Sequence, residues 1–408
     1  MISYVVGILV AGLIVFGLYF GMQVGSPAYA RQLLTQQAAD KSLDELEVIV
    51  DSVGITTTVS QLTAAVTVIG QGDDQLDRRV KLLAKAVKTS DQSVQSICAL
   101  SIQRMGDAAK PPIRKLLESS NANEVRSACG VIRPLGTNGD EFAPEILNLL
   151  ASDSHFDRHA ALYGIQEMSP EALLPGLKLV IGELDDPNFN TQIQACFVLQ
   201  QIGKGAAPAT ERLIKLLQEG NPSSRSRAAE ALAAIGPVDG YDIPELVGQQ
   251  LESYAFLEKV RGLDAIGLMG DAGKTPENMA RIQHLLDTPS LNCVAEASLA
   301  MYRLTGDKES ALRKLKDMVK SRDSRLAALE CIGAMGPDAA DAVPNVMEHL
   351  ADEETAVVET AVLALKKIGP SATAALPRLK KMVGHKDFLL SIAAQEAIDA
   401  ISGKTKSK

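Results

Sequence analysis

Apolar residues recur along most of this chain at helical spacing. Stripes such as Ile113/Leu116/Leu117, Ile146/Leu149/Leu150, Leu213/Leu216/Leu217, Ile282/Leu285/Leu286 and Leu379/Met382/Val383 keep the i, i+3, i+4 pattern that gives a helix one buried face. Polar turns follow them, for example Ser152-Asp153-Ser154, Asp185-Asp186-Pro187-Asn188 and Asn221-Pro222-Ser223-Ser224, and supply N-cap residues to a second, Ala-rich helix. The second helix runs to an apolar residue followed by Gly: Ile69-Gly70, Met105-Gly106, Leu135-Gly136, Ile202-Gly203, Ile235-Gly236, Met269-Gly270, Met335-Gly336 and Ile368-Gly369. Looser copies stand at Met168-Ser169, Thr305-Gly306 and Ser402-Gly403, so the period is about 30–36 residues, the length of two short helices and their turns.

The Gly is expected to end a helix, where a left-handed residue costs little without a Cβ. Pro111, Pro144, Pro175, Pro208, Pro244, Pro276, Pro344 and Pro377 come a few residues later and fit the first turn of the next helix. One helical pair is too small to bury its own apolar face, so neighbours must stack.

The second helices carry a more specific signature. Val125-Arg126-Ser127-Ala128-Cys129-Gly130-Val131-Ile132, Arg227-Ala228-Ala229-Glu230-Ala231-Leu232-Ala233-Ala234-Ile235-Gly236 and Val260-Arg261-Gly262-Leu263-Asp264-Ala265-Ile266 resemble the second helix of HEAT repeats, in particular the short bacterial variety also found in phycobilisome-lyase-like proteins. The resemblance covers about residues 57–403. It implies an all-α chain, a right-handed, armadillo-like α-solenoid of about ten helical pairs whose second helices line a concave groove. The tetratricopeptide and ankyrin patterns, with their fixed Trp/Tyr and Thr-Pro-Leu-His positions, are not present.

The amino terminus reads differently. Residues 2–24 carry no charge, and at about 1.5 Å per residue they would make roughly 35 Å of helix, enough to cross a bilayer. Residues 1–25 are therefore expected to form an uncleaved transmembrane anchor. A cleaved signal peptide is the rival, favoured by Ala28-Tyr29-Ala30 but lacking a positive n-region. Gly17, Gly21 and Gly25 share one face of this segment and would let two copies approach as a homodimer. Residues 26–56 then read as a helical juxtamembrane connector, residues 57–403 as the solenoid and residues 404–408 as a basic tail. Arg31 and Lys41 on the carboxyl side favour a single-pass protein with a cytoplasmic solenoid over an extracytoplasmic one.

A formal net charge of −9 opposes nucleic-acid binding, which needs clustered Lys and Arg. The 4% aromatic content without Trp suits close-packed helices. Five cysteines, at 98, 129, 196, 293 and 331, are scattered singly beside small residues and read as buried packing thiols. His155 and His159 are four apart on a helix, but no third ligand adjoins them, so no metal is expected. Gly273-Lys274-Thr275 lacks the spacing of a phosphate-binding loop, and no hydrolase or metalloprotease motif occurs. The chain is accordingly expected to be no enzyme and to carry no cofactor.

Arg126, Arg158, Arg227, Arg261 and Arg325 recur near second-helix starts, where they either form a ladder with Asp of neighbouring turns or point into the groove. Glu230, Asp264 and Glu296 lie on the same helices and give the groove mixed charge, which favours protein partners. The expected function is a membrane-tethered protein-binding scaffold or adaptor. Two alternatives are an accessory factor of a lyase-like cofactor-modifying enzyme, which the resemblance implies, and a structural subunit of a membrane complex.

Overall fold

The computed structural model describes residues 35–52, 57–88, 92–287, 291–384 and 388–403. Among them the regular elements are helices, with one isolated bridge between Val238 and Tyr241. The chain divides into two units: residues 1–112 with 381–392, and residues 113–380 with 393–408.

In the first unit, α1 (Leu43–Asp51), α2 (Val59–Gln71), α3 (Leu76–Ala86) and α4 (Gln92–Met105) pack in sequence order. Capping boxes open the first two. Ser42 Oγ accepts from the Glu45 backbone while Glu45 accepts from the Ser42 N–H, and Thr58 and Gln61 repeat the exchange. The acidic-apolar stretch before residue 52 thus forms a docked helix, with Leu43, Leu46 and Val50 buried. Gly70 does not terminate its helix: α2 continues to Gln71, and a Cβ on Gly70 would stand 2.5 Å from the Ser101 Cβ of α4. Close approach of two helices, not a turn, is what this glycine permits.

After α5 (Lys110–Leu117), the second unit repeats helical pairs. Its first helices are α7 (Ala143–Asn148), α9 (Pro170–Leu173) with α10 (Leu177–Gly182), α12 (Thr210–Glu219), α14 (Ile243–Gly248), α16 (Pro276–Leu286), α18 (Lys308–Met318) and α20 (Val343–Glu348). Its second helices are α6 (Ala122–Ile132), α8 (His155–Gly164), α11 (Phe189–Ile202), α13 (Pro222–Ile235), α15 (Phe256–Leu268), α17 (Leu291–Thr305), α19 (Arg325–Ala334) and α21 (Thr355–Ile368). Each second helix packs directly on the next, and the first helices cover one side of that row.

The repeat punctuation works as expected here. Gly203 and Gly369 end α11 and α21 at φ 62° and 67°, values that an L side chain resists. Asn188 and Asn221 accept from backbone N–H groups at the starts of α11 and α13. The pair at Thr305–Met318 manages without Pro because Asp307 Oδ1 accepts from the Ser310 N–H at 3.1 Å and caps α18. Thr275 caps α16 in the same way, a structural role for the Gly-Lys-Thr sequence.

Small residues set how closely the second helices stack. A Cβ on Gly333 would lie 2.9 Å from the Ala364 Cα, so α19 and α21 touch backbone to backbone. Gly333→Ala is expected to destabilise by about 1–2 kcal/mol, the overpacking cost less the gain in helix propensity. Denaturant midpoints, together with faster amide exchange in α21, check it.

One expectation needs correction. The longest described helix, Leu291–Thr305, has 15 residues, or about 22 Å, against a hydrocarbon core of about 30 Å. Among the described residues no helix is long and apolar enough to cross a membrane, so a single-pass membrane protein is not supported. The apolar run 2–24, its Gly17, Gly21 and Gly25, and the basic tail 404–408 lie outside the described residues.

Candidate protein-binding groove

A cleft of about 400 Å³ opens in the second unit across α15, α17, α19 and α21. All of its lining side chains come from second helices, so it lies on the face opposite the first helices. Its charged members are Arg261 and Asp264 from α15, Glu296 and Arg303 from α17, Glu330 from α19 and Lys367 from α21. Leu299 and Leu363 supply apolar surface, and Leu363 is 45% exposed.

The recurrent arginines divide into two kinds. Arg158 and Arg325 are tied to turns: Arg158 Nε donates to Glu183 at 3.0 Å and Nη2 to Asp186 at 2.5 Å, while Arg325 Nη2 reaches Asp352 at 3.0 Å. These carboxylates sit one turn ahead of the next second helix, so the pairs join successive repeats. Arg225, which the repeat pattern does not single out, does the same with Glu258, whose side chain is only 2% exposed. Arg281 of α16 links first helices by bidentate bonds to Glu245 at 2.7 and 2.8 Å.

The other arginines lie along the second-helix face. Arg126 Nη1 donates to Asp157 at 3.0 Å with its guanidinium 5.8 Å from the Phe156 ring, and Arg227 stacks 4.1 Å over Phe197. Glu230, buried between repeats, accepts from Arg227 at 2.5 Å and from Arg261 at 3.0 Å. Asp264 is bound by Arg303 at 2.5 Å. Of the residues expected in a groove, the structure gathers Arg261, Asp264 and Glu296 in one cleft with Glu230 bound to its edge. Arg126, Arg158 and Arg325 lie elsewhere.

Glu296 breaks the alternation. The buried residues Ala231, Ala265, Ala300, Cys331 and Ala364 mark equivalent positions on successive second helices. One helical turn before them stand Arg227, Arg261, Glu296, Ala327 and Thr360. An acid therefore occupies the place where the two preceding repeats put arginine. Its Oε2 is buried without a hydrogen-bond partner. Burial, and then the nearby Glu330 and Asp264 carboxylates, push its pKa up to about 7.

His155 stacks on Phe156 at 3.9 Å, and burial, followed by the His155 charge, pushes the His159 pKa down. Among the described residues no group of three or more His, Cys, Asp or Glu is placed to hold a metal. All five cysteines are buried, and burial raises the Cys98 and Cys129 thiols to about 12.

Residues 320–399 match the HEAT repeats family, a stretch that holds α19 to α21, α22 (Leu376–Met382) and most of α23 (Phe388–Ile401). Over those residues the chain carries HEAT repeats, and the described residues as a whole have an all-helical repeat fold. Yeast importin-beta shares it with a TM-score of 0.51 at 13% identity, over 92% of this chain and 60% of that one. At that identity the likeness is one of fold alone. An engineered protein solved by a structural genomics consortium overlaps 88% of this chain and 99% of its own at 19% identity, but with a TM-score of 0.35. No curated protein matches the chain.

Proposed function

We propose that this chain is a protein-interaction scaffold or adaptor, and that the cleft across α15, α17, α19 and α21 receives a segment of its partner. The observation that carries this reading is the composition of that cleft: an exposed Leu363 beside Glu296 and Glu330, two acids without an ion-pair partner among the described residues, next to Arg261 and Arg303, whose charges are already paired. Stacked helical pairs make a long surface of fixed spacing, and such surfaces bind through side-chain rows rather than through loops. The mixed charge favours a protein over a nucleic acid, whose phosphates would need uninterrupted cations.

Photo-crosslinking tests the location. A photoreactive residue at Leu363 is expected to give adducts of defined mass with cellular protein. The same residue at exposed Glu211 on first helix α12 is expected to give none. Equal yields at both positions would remove the cleft from consideration.

A further inference from the structure

We propose that the cleft around Glu296 takes a lysine or arginine side chain of a partner protein, its cationic head between Glu296 and Glu330 and its aliphatic stem against Leu363. The inference rests on the groove reading above and gives it a chemistry.

Charge complementarity carries it. In the two preceding repeats an arginine at the Glu296 position closes the row from within: Arg227 and Arg261 both hold Glu230. Arg303 satisfies Asp264. Beyond these the row runs out of internal cations. Among the described residues neither Glu296 nor Glu330 has an ion-pair partner. Among the described residues Lys367 is the one lining cation without a carboxylate partner, so two acids stand against one ammonium. A guanidinium or ammonium from outside would restore the + − + − sequence that the chain itself builds two helices earlier. Leu363 beside it offers the apolar contact that a long cationic side chain uses along its stem.

The setting of Glu296 adds a signature. The groups that face it are Arg261 and Asp264 from α15, Glu330 and Cys331 from α19, and Arg303 from its own helix. Both arginines are committed elsewhere, which leaves burial and like charge to hold its carboxyl protonated up to about 7. A bound cation draws that proton off. Binding at pH 6 is therefore expected to release protons, visible as a heat of binding that changes with the ionisation enthalpy of the buffer.

The probe is a displayed heptapeptide library selected on the full chain and on two variants, the double Glu296→Gln/Glu330→Gln and the single Glu296→Arg. The wild-type chain is expected to enrich peptides with Lys or Arg flanked by aliphatic residues. Their affinity should fall about tenfold or more on the double variant, as loss of charged hydrogen bonds implies, and further on Glu296→Arg. Circular dichroism of both variants verifies the fold, and Leu363→Trp shows whether a peptide occupies the cleft. Peptides blocked by Leu363→Trp yet indifferent to both acid substitutions would overturn the cation subsite and spare the groove. Enrichment of acidic peptides that depend on Arg261 or Lys367 would also overturn it. Failure to select any peptide sensitive to Leu363→Trp would overturn the groove reading and this inference together.

Discussion

Glu296→Gln is expected to stabilise the protein at pH 8 by up to about 3 kcal/mol and to leave it unchanged at pH 4. The carboxyl titrates near 7 in the folded chain, against an ordinary value of 4.5. Below 4.5 it is protonated whether the chain is folded or not, so it costs nothing. As pH rises from 4.5 to 7 the unfolded chain loses the proton first, and folded stability declines. Above 7 the full penalty is in place, at about 1.4 kcal/mol for each pKa unit. Glutamine cannot ionise, and because Oε2 has no hydrogen-bond partner the replacement forfeits no bond there. Urea midpoints of both proteins across this pH range measure the difference. A constant difference at every pH would mean that the carboxyl has the same pKa in the folded and the unfolded chain. The expected rise with pH marks a site where function is retained against stability, as happens when a binding group is held without its counterpart.

Arg158→Met is expected to cost 3–5 kcal/mol at neutral pH, the order found when one member of a buried ion pair is removed. The guanidinium holds two carboxylates, Glu183 and Asp186, whose side chains are 10% and 3% exposed, and donates through Nη1 to the Ser152 carbonyl at 3.0 Å. Burial already pushes the Glu183 pKa up against the pull of Arg158. Without the arginine that carboxyl shifts further up and takes a proton, so the loss should shrink as pH falls towards 4. The triple variant Arg158→Met/Glu183→Met/Asp186→Leu is expected to recover most of the stability, since no buried charge remains. A single variant no worse than about 1 kcal/mol would place the pair among ordinary surface bridges.

Much of the architecture is written locally and can be read without coordinates. A Gly at a helix end, an Asn or Asp at the next start, and an apolar stripe between them depend on neighbours within four residues. Gly70 shows where such reading errs: the same apolar-Gly pair serves interhelical contact at one place and termination at others, and only the packed partner, Ser101, decides. The ion pairs are legible by half. Arginine recurs visibly, yet the acceptor lies about one repeat away in sequence, and which acid it meets depends on lateral register. Arg225, Arg281 and Arg303 lie outside the repeating pattern for that reason. In the sequence Glu296 is one acid among several. Its meaning emerges only when the buried Ala row aligns it with Arg227 and Arg261. The run at residues 2–24 shows a different limit: hydropathy and length recommend a span, but none of the described helices has the dimensions for one.

The five cysteines offer a way to watch the array come apart. Cys98 lies in α4 of the first unit and the other four in second helices, Cys129 in α6, Cys196 in α11, Cys293 in α17 and Cys331 in α19. A buried thiol does not react until its own repeat opens. Five single-thiol versions of the chain would therefore act as five clocks spaced along it, each started by a local event. In an array whose repeats hold only their neighbours, the order in which those clocks run traces where unfolding begins and how far it spreads before the whole row is lost.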